Sequence, residues 1–273
     1  MACDSTVGEG YHVAVSGDTQ TESRAAWTTA DLRRNPHEAV DKAQRVESMF
    51  SSIAERYDLN NRIHSLWRDQ AWRRAAAVLA RIGPDDDVLD LACGTGDLTE
   101  ILARQRPRSV LGMDFTEAML VIARKKTGSR SLGPGVPQPT YRWGDAMNID
   151  LPDGSIDVVT IAFGLRNVTD PAVAVGEFAR ILRPGGRLVV LEFSTPENRL
   201  VRLFNALYTR HIMPMTATLL SGDRSGAYRY LPRSIRTFAD SATVADLLAA
   251  AGLTVQQQVP QSLGICTCTV AIR

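Results

Sequence analysis

Residues suited to metal ligation, disulfides or hydrolytic triads are few in this chain of 273 residues, which holds four cysteines and four histidines. Cys3, Cys93, Cys266 and Cys268 are scattered, as in a reduced, cytoplasmic protein. Cys266 and Cys268 fall two apart in a Thr-rich segment that reads as a strand, so both belong on one face. No second Cys or His cluster supplies further ligands, and no metal is expected. His64 and His211 have no Ser, Cys or carboxylate at a spacing that suggests a triad, while His12 and His37 lie in or near a polar N-terminal stretch. The formal net charge is +1, which leaves no global field to attract nucleic acid. No uninterrupted apolar run reaches the roughly 18 residues that span a bilayer. The N-terminus lacks the basic start and apolar middle of a secretory signal, so a cytoplasmic location is expected. Residues 1 to 40 hold few large apolar groups and are read as a disordered extension, because they cannot bury enough surface to offset ordering entropy.

The rest is apolar enough to fold: 44% of the chain is hydrophobic, sufficient for one large core or two modest ones. Val46, Met49, Phe50, Ile53 and Tyr57 follow helical spacing, and a second helical stretch runs from about His64 to Ala80, ended by Gly83-Pro84. Short apolar strands then alternate with amphipathic helices. Val88 to Leu91, Ser109 to Met113, Thr140 to Trp143, Ile156 to Phe163 and Arg187 to Phe193 read as strands. Asp97 to Gln105, Thr116 to Lys126 and Pro171 to Leu182 read as helices. This alternation implies a parallel sheet covered by helices on both faces, with ligands bound outside the carboxyl ends of its strands.

One such end carries Asp90-Leu91-Ala92-Cys93-Gly94-Thr95-Gly96-Asp97. Gly94 and Gly96 allow a sharp turn and a close approach to the backbone, and the loop opens a helix with unpaired amides. A dinucleotide fingerprint would place a third glycine at position 99, which is threonine here. Asp90 is unfavourable beside a pyrophosphate but suits a cationic ligand such as S-adenosylmethionine, and Asp114 is placed to accept both ribose hydroxyls. A tight turn in some other α/β protein is the plainer alternative.

Further segments fall at later strand ends. Asp145, in Gly144-Asp145-Ala146, is a candidate acceptor for an adenine amino group or an ordinary turn aspartate. Arg166 and Asn167 offer a fixed cation and an amide to an anionic substrate, unless Arg166 is simply a surface arginine. The glycines of Arg183-Pro184-Gly185-Gly186-Arg187 read as turn geometry.

The glycine loop, Phe163 to Val168 and Ile181 to Ser194 together resemble the ubiquinone/menaquinone biosynthesis C-methyltransferase family. Tyr57-Asp58 with Asn61, Ser65 and Trp72 is similar to that family's N-terminal signature, and Tyr228 to Ile235 to its late segment. The resemblance runs from about Val46 to the C-terminus. It implies a Rossmann-like class I methyltransferase of the α/β class, with a seven-stranded, mostly parallel sheet, spanning 41–273. Residues 41–82 would form an N-terminal helical cap and 196–236 a lid-like insertion.

The implied reaction is methyl transfer from S-adenosylmethionine to a ring carbon of a polyprenylated quinol. Demethylmenaquinol is favoured over a methoxy-polyprenyl-benzoquinol, since acids at Asp4, Glu9, Asp18 and Glu22 do not fit a mitochondrial presequence. The resemblance places Thr95, Asp114, Asp145 and Ala146 at the cofactor, joined by Asp90, Gly94 and Gly96 from the loop. Ala162 stands where many members have a cofactor-contacting serine, Asp69 where a histidine is common, and Leu66-Trp67 where a Phe-Gly pair is common. Arg166 is the candidate stabiliser of the ionised quinol hydroxyl, with Asn167 and Tyr57 holding that hydroxyl or a water. Leu200, Val201, Leu203, Phe204, Leu207, Tyr208 and Ile212 form an apolar stripe flanked by Arg199, Arg202 and Arg210. The stripe suits either a lid packed on the core or peripheral contact with the inner face of a membrane. A homodimer and a catalytically silent scaffold remain open alternatives.

Overall fold

The structure is a computed structural model that describes residues 25–129, 131–209, 216, 225–238 and 240–273. After two short 3-10 turns come helices α1 (Lys42–Ser65) and α2 (Arg68–Leu79). The alternating part follows as β1 (Asp87–Leu91), α3 (Asp97–Ala103), β2 (Ser109–Asp114), α4 (Glu117–Gly128), β3 (Thr140–Trp143), β4 (Ile156–Ala162), α5 (Pro171–Ile181) and β5 (Leu182–Phe193). Helices α6 (Arg199–Leu207), α7 (Ala227–Thr237) and α8 (Ser241–Ala250) precede β6 (Thr254–Gln261) and β7 (Cys266–Ile272).

The seven strands form one sheet in the order β3-β2-β1-β4-β5-β7-β6. Pairings among the first five are parallel, and β7 runs antiparallel to both β5 and β6. Strands covered on both faces carry continuous apolar runs rather than alternation, and the side chains still divide by parity. Leu89, Leu91, Val159, Ile161, Leu188 and Val190 pack against α5 and α8. Val88, Val158, Val189 and Leu191 face α2 and α3 on the other side, joined there by Cys266 and Cys268. The two cysteines thus share one buried face, as their spacing predicts. Among the described residues no cluster of His, Cys, Asp and Glu could hold a metal ion. No helix there is long and apolar enough to cross a membrane.

A third, smaller core joins α1 to α7 and corrects the reading of 1–40 as disordered. Residues 25–40 are folded, and Trp27 is 1% exposed, stacked on Tyr230 with ring centroids 4.7 Å apart. A lone tryptophan in a polar stretch gives no periodicity, so only the partner surface on α7 reveals that it is buried. Residues 1–24 lie outside the described residues.

Two boundaries also differ. The first helix continues through His64 and breaks at Leu66 and Trp67, both left-handed, with φ of 52° and 61°. Neither Gly nor Pro marks the break, and both side chains are exposed. Strand β5 begins at Leu182, and the expected Arg183–Gly186 turn is an irregularity within it, between the pairings Ile156 to Leu182 and Val158 to Arg187.

Candidate active site

The sheet changes direction at β1, whose neighbours β2 and β4 are reached by crossovers on opposite sides, and a crevice opens outside the carboxyl ends of such strands. Here it is an open cleft of about 880 Å³. Its floor includes Ala92 and Phe163, the residues just past β1 and β4. Both are non-glycine residues with positive φ, 50° and 59°. Such backbone strain of order 1–3 kcal/mol persists only where surrounding packing enforces it, and it concentrates at functional sites.

Of the residues singled out from the sequence, Tyr57, Gly94, Asp114, Asp145, Ala146, Ala162 and Asn167 line this cleft. Asp114 ends β2 and accepts from the amides of Gly94 and Thr116, both at 2.8 Å. Burial raises its pKa, and those amides pull it back towards the charged form. The carboxylate is therefore fixed at the rim with lone pairs to spare for hydroxyl donors. Asp145 accepts from the Met147 amide at 2.9 Å as a turn aspartate, and it also lines the cleft.

The two loop glycines serve different purposes. A side chain at Gly94, with φ of 56°, would meet nothing within 4 Å, so the backbone there is open to a ligand. A Cβ at Gly96 would lie 2.5 Å from the Tyr141 hydroxyl. Gly96 thus makes room for Tyr141 and does not line the cleft. Thr95 is also withdrawn: it is buried, and its hydroxyl donates to Asp58 at 2.5 Å. Asp58 and Asp97 share Lys126, at 2.8 and 2.5 Å, so the loop is tied to α1 and α4 from behind.

Asp90 and Arg166 also depart from expectation. Asp90 is 1% exposed and accepts from the hydroxyls of Thr99 and Thr160, at 2.6 and 2.7 Å. Burial pushes its pKa up to about 6. It fastens α3 and β4 to β1 beneath the loop, and the two threonines, not a cationic ligand, occupy its oxygens. Arg166 is neither a surface arginine nor part of the cleft lining. Its guanidinium donates to Glu192 at 2.8 Å and to the Phe163 carbonyl at 2.5 Å, and both partners of the ion pair are nearly inaccessible. Any influence of Arg166 on a bound substrate is exerted from behind the wall. Asn167 does face the cleft, its amide donating to the Phe163 carbonyl and its oxygen accepting from Tyr230.

Ala43, Val46, Phe50 and Tyr57 bring one face of α1 to the cleft, while Met49 and Ile53 enter the third core. The helical periodicity contained both faces without revealing which met a ligand. Phe115, Met119 and Met147, which complete the apolar lining, were not singled out. Phe115 and Met147 directly follow chemistry-bearing segments, the one signal that could have marked them.

The chain matches the ubiE/COQ5 methyltransferase family over residues 38–273. It belongs to that family. Relatives include a demethylmenaquinone methyltransferase of Deinococcus radiodurans, 42% identical over 82% of this chain and 91% of that protein. One of Thermus thermophilus is 44% identical over 77% and 94%. A ubiquinone/menaquinone biosynthesis C-methyltransferase of Geobacter sulfurreducens is 38% identical over 87% and 91%. Among solved structures, a possible histamine N-methyltransferase from Thermotoga maritima overlays with TM-score 0.54 at 18% identity, covering 83% of this chain and 99% of that one. The [4+2]-cyclase SpnF overlays equally well, at TM-score 0.54 and 19% identity, covering 85% and 96%. At such identities the overlays speak for the fold alone, the Rossmann-like class I fold that the sequence implied. As a member of the ubiE/COQ5 family, the protein is an S-adenosylmethionine-dependent methyltransferase. Its cleft fits that cosubstrate: bare backbone at Gly94, a fixed carboxylate at Asp114 and a second acid at Asp145 lie on one side.

Proposed function

We propose that this protein methylates a ring carbon of demethylmenaquinol, giving menaquinol, at the cytoplasmic side of a membrane. The observation that carries this reading is a cleft lined by two kinds of surface, acids and open backbone at the ends of β1 to β3 and an apolar face from α1. A flat, apolar ring suits that wall, and the relatives' names favour the naphthoquinol over the benzoquinol. Bound S-adenosylmethionine supplies a methyl group whose bond to sulfur breaks with the electron pair left on sulfur.

The chain's own residues have three tasks. Asp114 and Asp145 hold the cosubstrate's polar groups, and Gly94 admits it to the backbone. Val46 and Phe50 exclude water and press the ring towards the methyl, since aligned reactants at about 3–3.5 Å avoid much of the entropic barrier. Tyr57 and Asn167 hold the ring hydroxyl next to the acceptor carbon. Once that hydroxyl releases its proton to solvent, its charge enters the ring, the carbon forms the new bond to methyl, and the carbon's own proton is then lost. Burial raises the Tyr57 pKa, so this phenol stays neutral and donates a hydrogen bond.

The prenyl tail points to a lipid surface. Leu200, Leu203, Phe204 and Leu207 of α6 are each more than half exposed, as are Leu66 and Trp67. Tyr208 donates to the His64 carbonyl at 3.1 Å, which brings the two groups together. Exposed Arg68, Arg199 and Arg202 flank them and suit an anionic bilayer. Ile212 and Arg210, part of the expected stripe, lie outside the described residues.

Methyl transfer from labelled S-adenosylmethionine, with reduced demethylmenaquinone and the benzoquinol offered separately, tests the reading. Product from the naphthoquinol alone is expected. Product from the benzoquinol alone overturns the choice of ring, and product from neither, with S-adenosylmethionine still bound, overturns the quinol.

A further inference from the structure

Lys42, the first residue of α1, is 1% exposed. Lysine is almost never fully buried unless it is paired. Its ammonium donates to the carbonyl of Val168 at 2.5 Å and forms no ion pair among the described residues. Val168 is part of the cleft wall, as is Ala43, the residue after the lysine. The charged and titratable groups around it come from three directions. Arg166, in the turn before Val168, carries a second positive charge that is paired with Glu192 of β5. His37, in the 3-10 turn Pro36–Glu38, donates from Nε2 to the Ser234 carbonyl at 3.0 Å, leaving Nδ1 buried without a partner among the described residues. Burial, with Lys42 and Arg166 nearby, lowers the pKa of His37 and keeps it neutral. Tyr230 of α7, beside Arg166 and Glu192, is held neutral by burial, its pKa raised to about 12. Two cations thus face one carboxylate, and one buried positive charge is left over behind residues 166–168.

We propose that Lys42 is a positioning residue whose ammonium, with Arg166 beside it, makes this stretch of the cleft wall positive and thereby favours the ionised hydroxyl of the acceptor ring. The proposal rests on the reading of the acceptor as a quinol. It assigns the surplus charge a use: an anion formed in the cleft supplies the counter-charge that the fold lacks. Burial and the repulsion of Arg166 lower the Lys42 pKa to about 8, so the ammonium remains mostly charged at neutral pH yet gains from any anion brought near.

Lys42→Gln and Lys42→Arg separate charge from hydrogen bonding, since glutamine can still donate to Val168 without a charge. The readout is the ionisation of a redox-stable methoxynaphthol bound to the full chain with S-adenosylhomocysteine, followed by absorbance across pH. The naphthol is expected to ionise more readily when bound to the natural protein and to Lys42→Arg than in solution. In Lys42→Gln its pKa is expected to rise by about one unit, a tenfold loss of ionised form. The acid-side limb of kcat for the quinol, where rate rises with pH, moves up with it, while S-adenosylmethionine affinity stays within about twofold. Equal naphthol pKa values in Lys42→Gln and the natural protein overturn the role of Lys42 and leave the quinol reading standing. Failure of the natural protein to bind the naphthol overturns both. Should Lys42→Gln not fold, Lys42→Met, which replaces the buried charge with a group of similar shape, takes its place under the same criteria.

Discussion

The two walls of the cleft are built by opposite strategies. The wall at the ends of β1, β2 and β3 is polar and recognises through fixed atoms, with Asp114 held by two amides and Gly94 left bare. The wall from α1 and the turn after β4 is mostly apolar on its surface and keeps its charges behind it, at Lys42 and Arg166. Strand ends are rigid because the sheet fixes them, so polar groups placed there stay aimed. A helix offers a broad, smooth face but few unpaired backbone groups, so chemistry on that side has to come from side chains or from charge acting at a distance. The difference shows that residues near a cleft divide by what they face and not by how close they lie in sequence.

The sharpest way to break this contrast is at Asp114. Asp114→Ala removes the acceptor for hydroxyl donors and orphans two amides, and S-adenosylmethionine affinity should fall about a hundredfold, measured by calorimetry. If affinity is unchanged, the polar wall has been assigned to the wrong ligand. Next comes the pair of glycines. Gly94→Val should weaken S-adenosylmethionine binding at least tenfold and, because φ there is 56°, also lower stability by about 1–3 kcal/mol. Gly96→Ala, which drives a methyl group into Tyr141, should lower stability by about 1–3 kcal/mol, seen as a drop in Tm. On the other wall, Phe50→Ala should raise the quinol KM about tenfold and leave S-adenosylmethionine affinity alone; a loss of that affinity would show that the two walls are not separate.

The smallest effect on ligand binding concerns Asp90, the acid that looked most like a ligand. Its raised pKa of about 6 means that the protonated form favours the fold. That stabilisation is fully present below the unfolded-state pKa of about 3.9 and disappears as pH rises through about 6. Asp90→Asn should therefore gain on the natural protein by up to about 3 kcal/mol as pH rises between these limits, followed by thermal unfolding, with S-adenosylmethionine affinity within about threefold. A large loss of affinity would return Asp90 to the binding site.

The sequence displayed the fold well because parallel strands buried on both faces leave continuous apolar runs, such as Leu188 to Leu191, that few other structures need. Tyr57, Gly94 and Asn167, taken from separate signature segments, come together on one cleft. Burial direction was not legible. Asp90 and Asp114 lie within a residue of the ends of adjacent strands, with the same residue type, and only the hydroxyls of Thr99 and Thr160 distinguish a fastening acid from an open one. Arg166 in a turn looks solvated until Glu192, twenty-six residues on, closes over it. Lys42 gives no signal at all, since a lysine opening a helix normally faces water. Trp27 was hidden for the opposite reason, being the one tryptophan in a polar stretch, with its partner Tyr230 far along the chain.

The placement of β7 has a consequence for how the protein is made. The seventh strand to be synthesised is inserted between the fifth and the sixth, so the edge of β5 stands unpaired while the ribosome completes α6, α7, α8 and β6. At about 5–20 residues per second, that interval is several seconds, during which an apolar strand edge is available to any other chain. A nascent-chain complex stalled before Cys266 should recruit holding chaperones more strongly than one stalled after Ile272 has emerged.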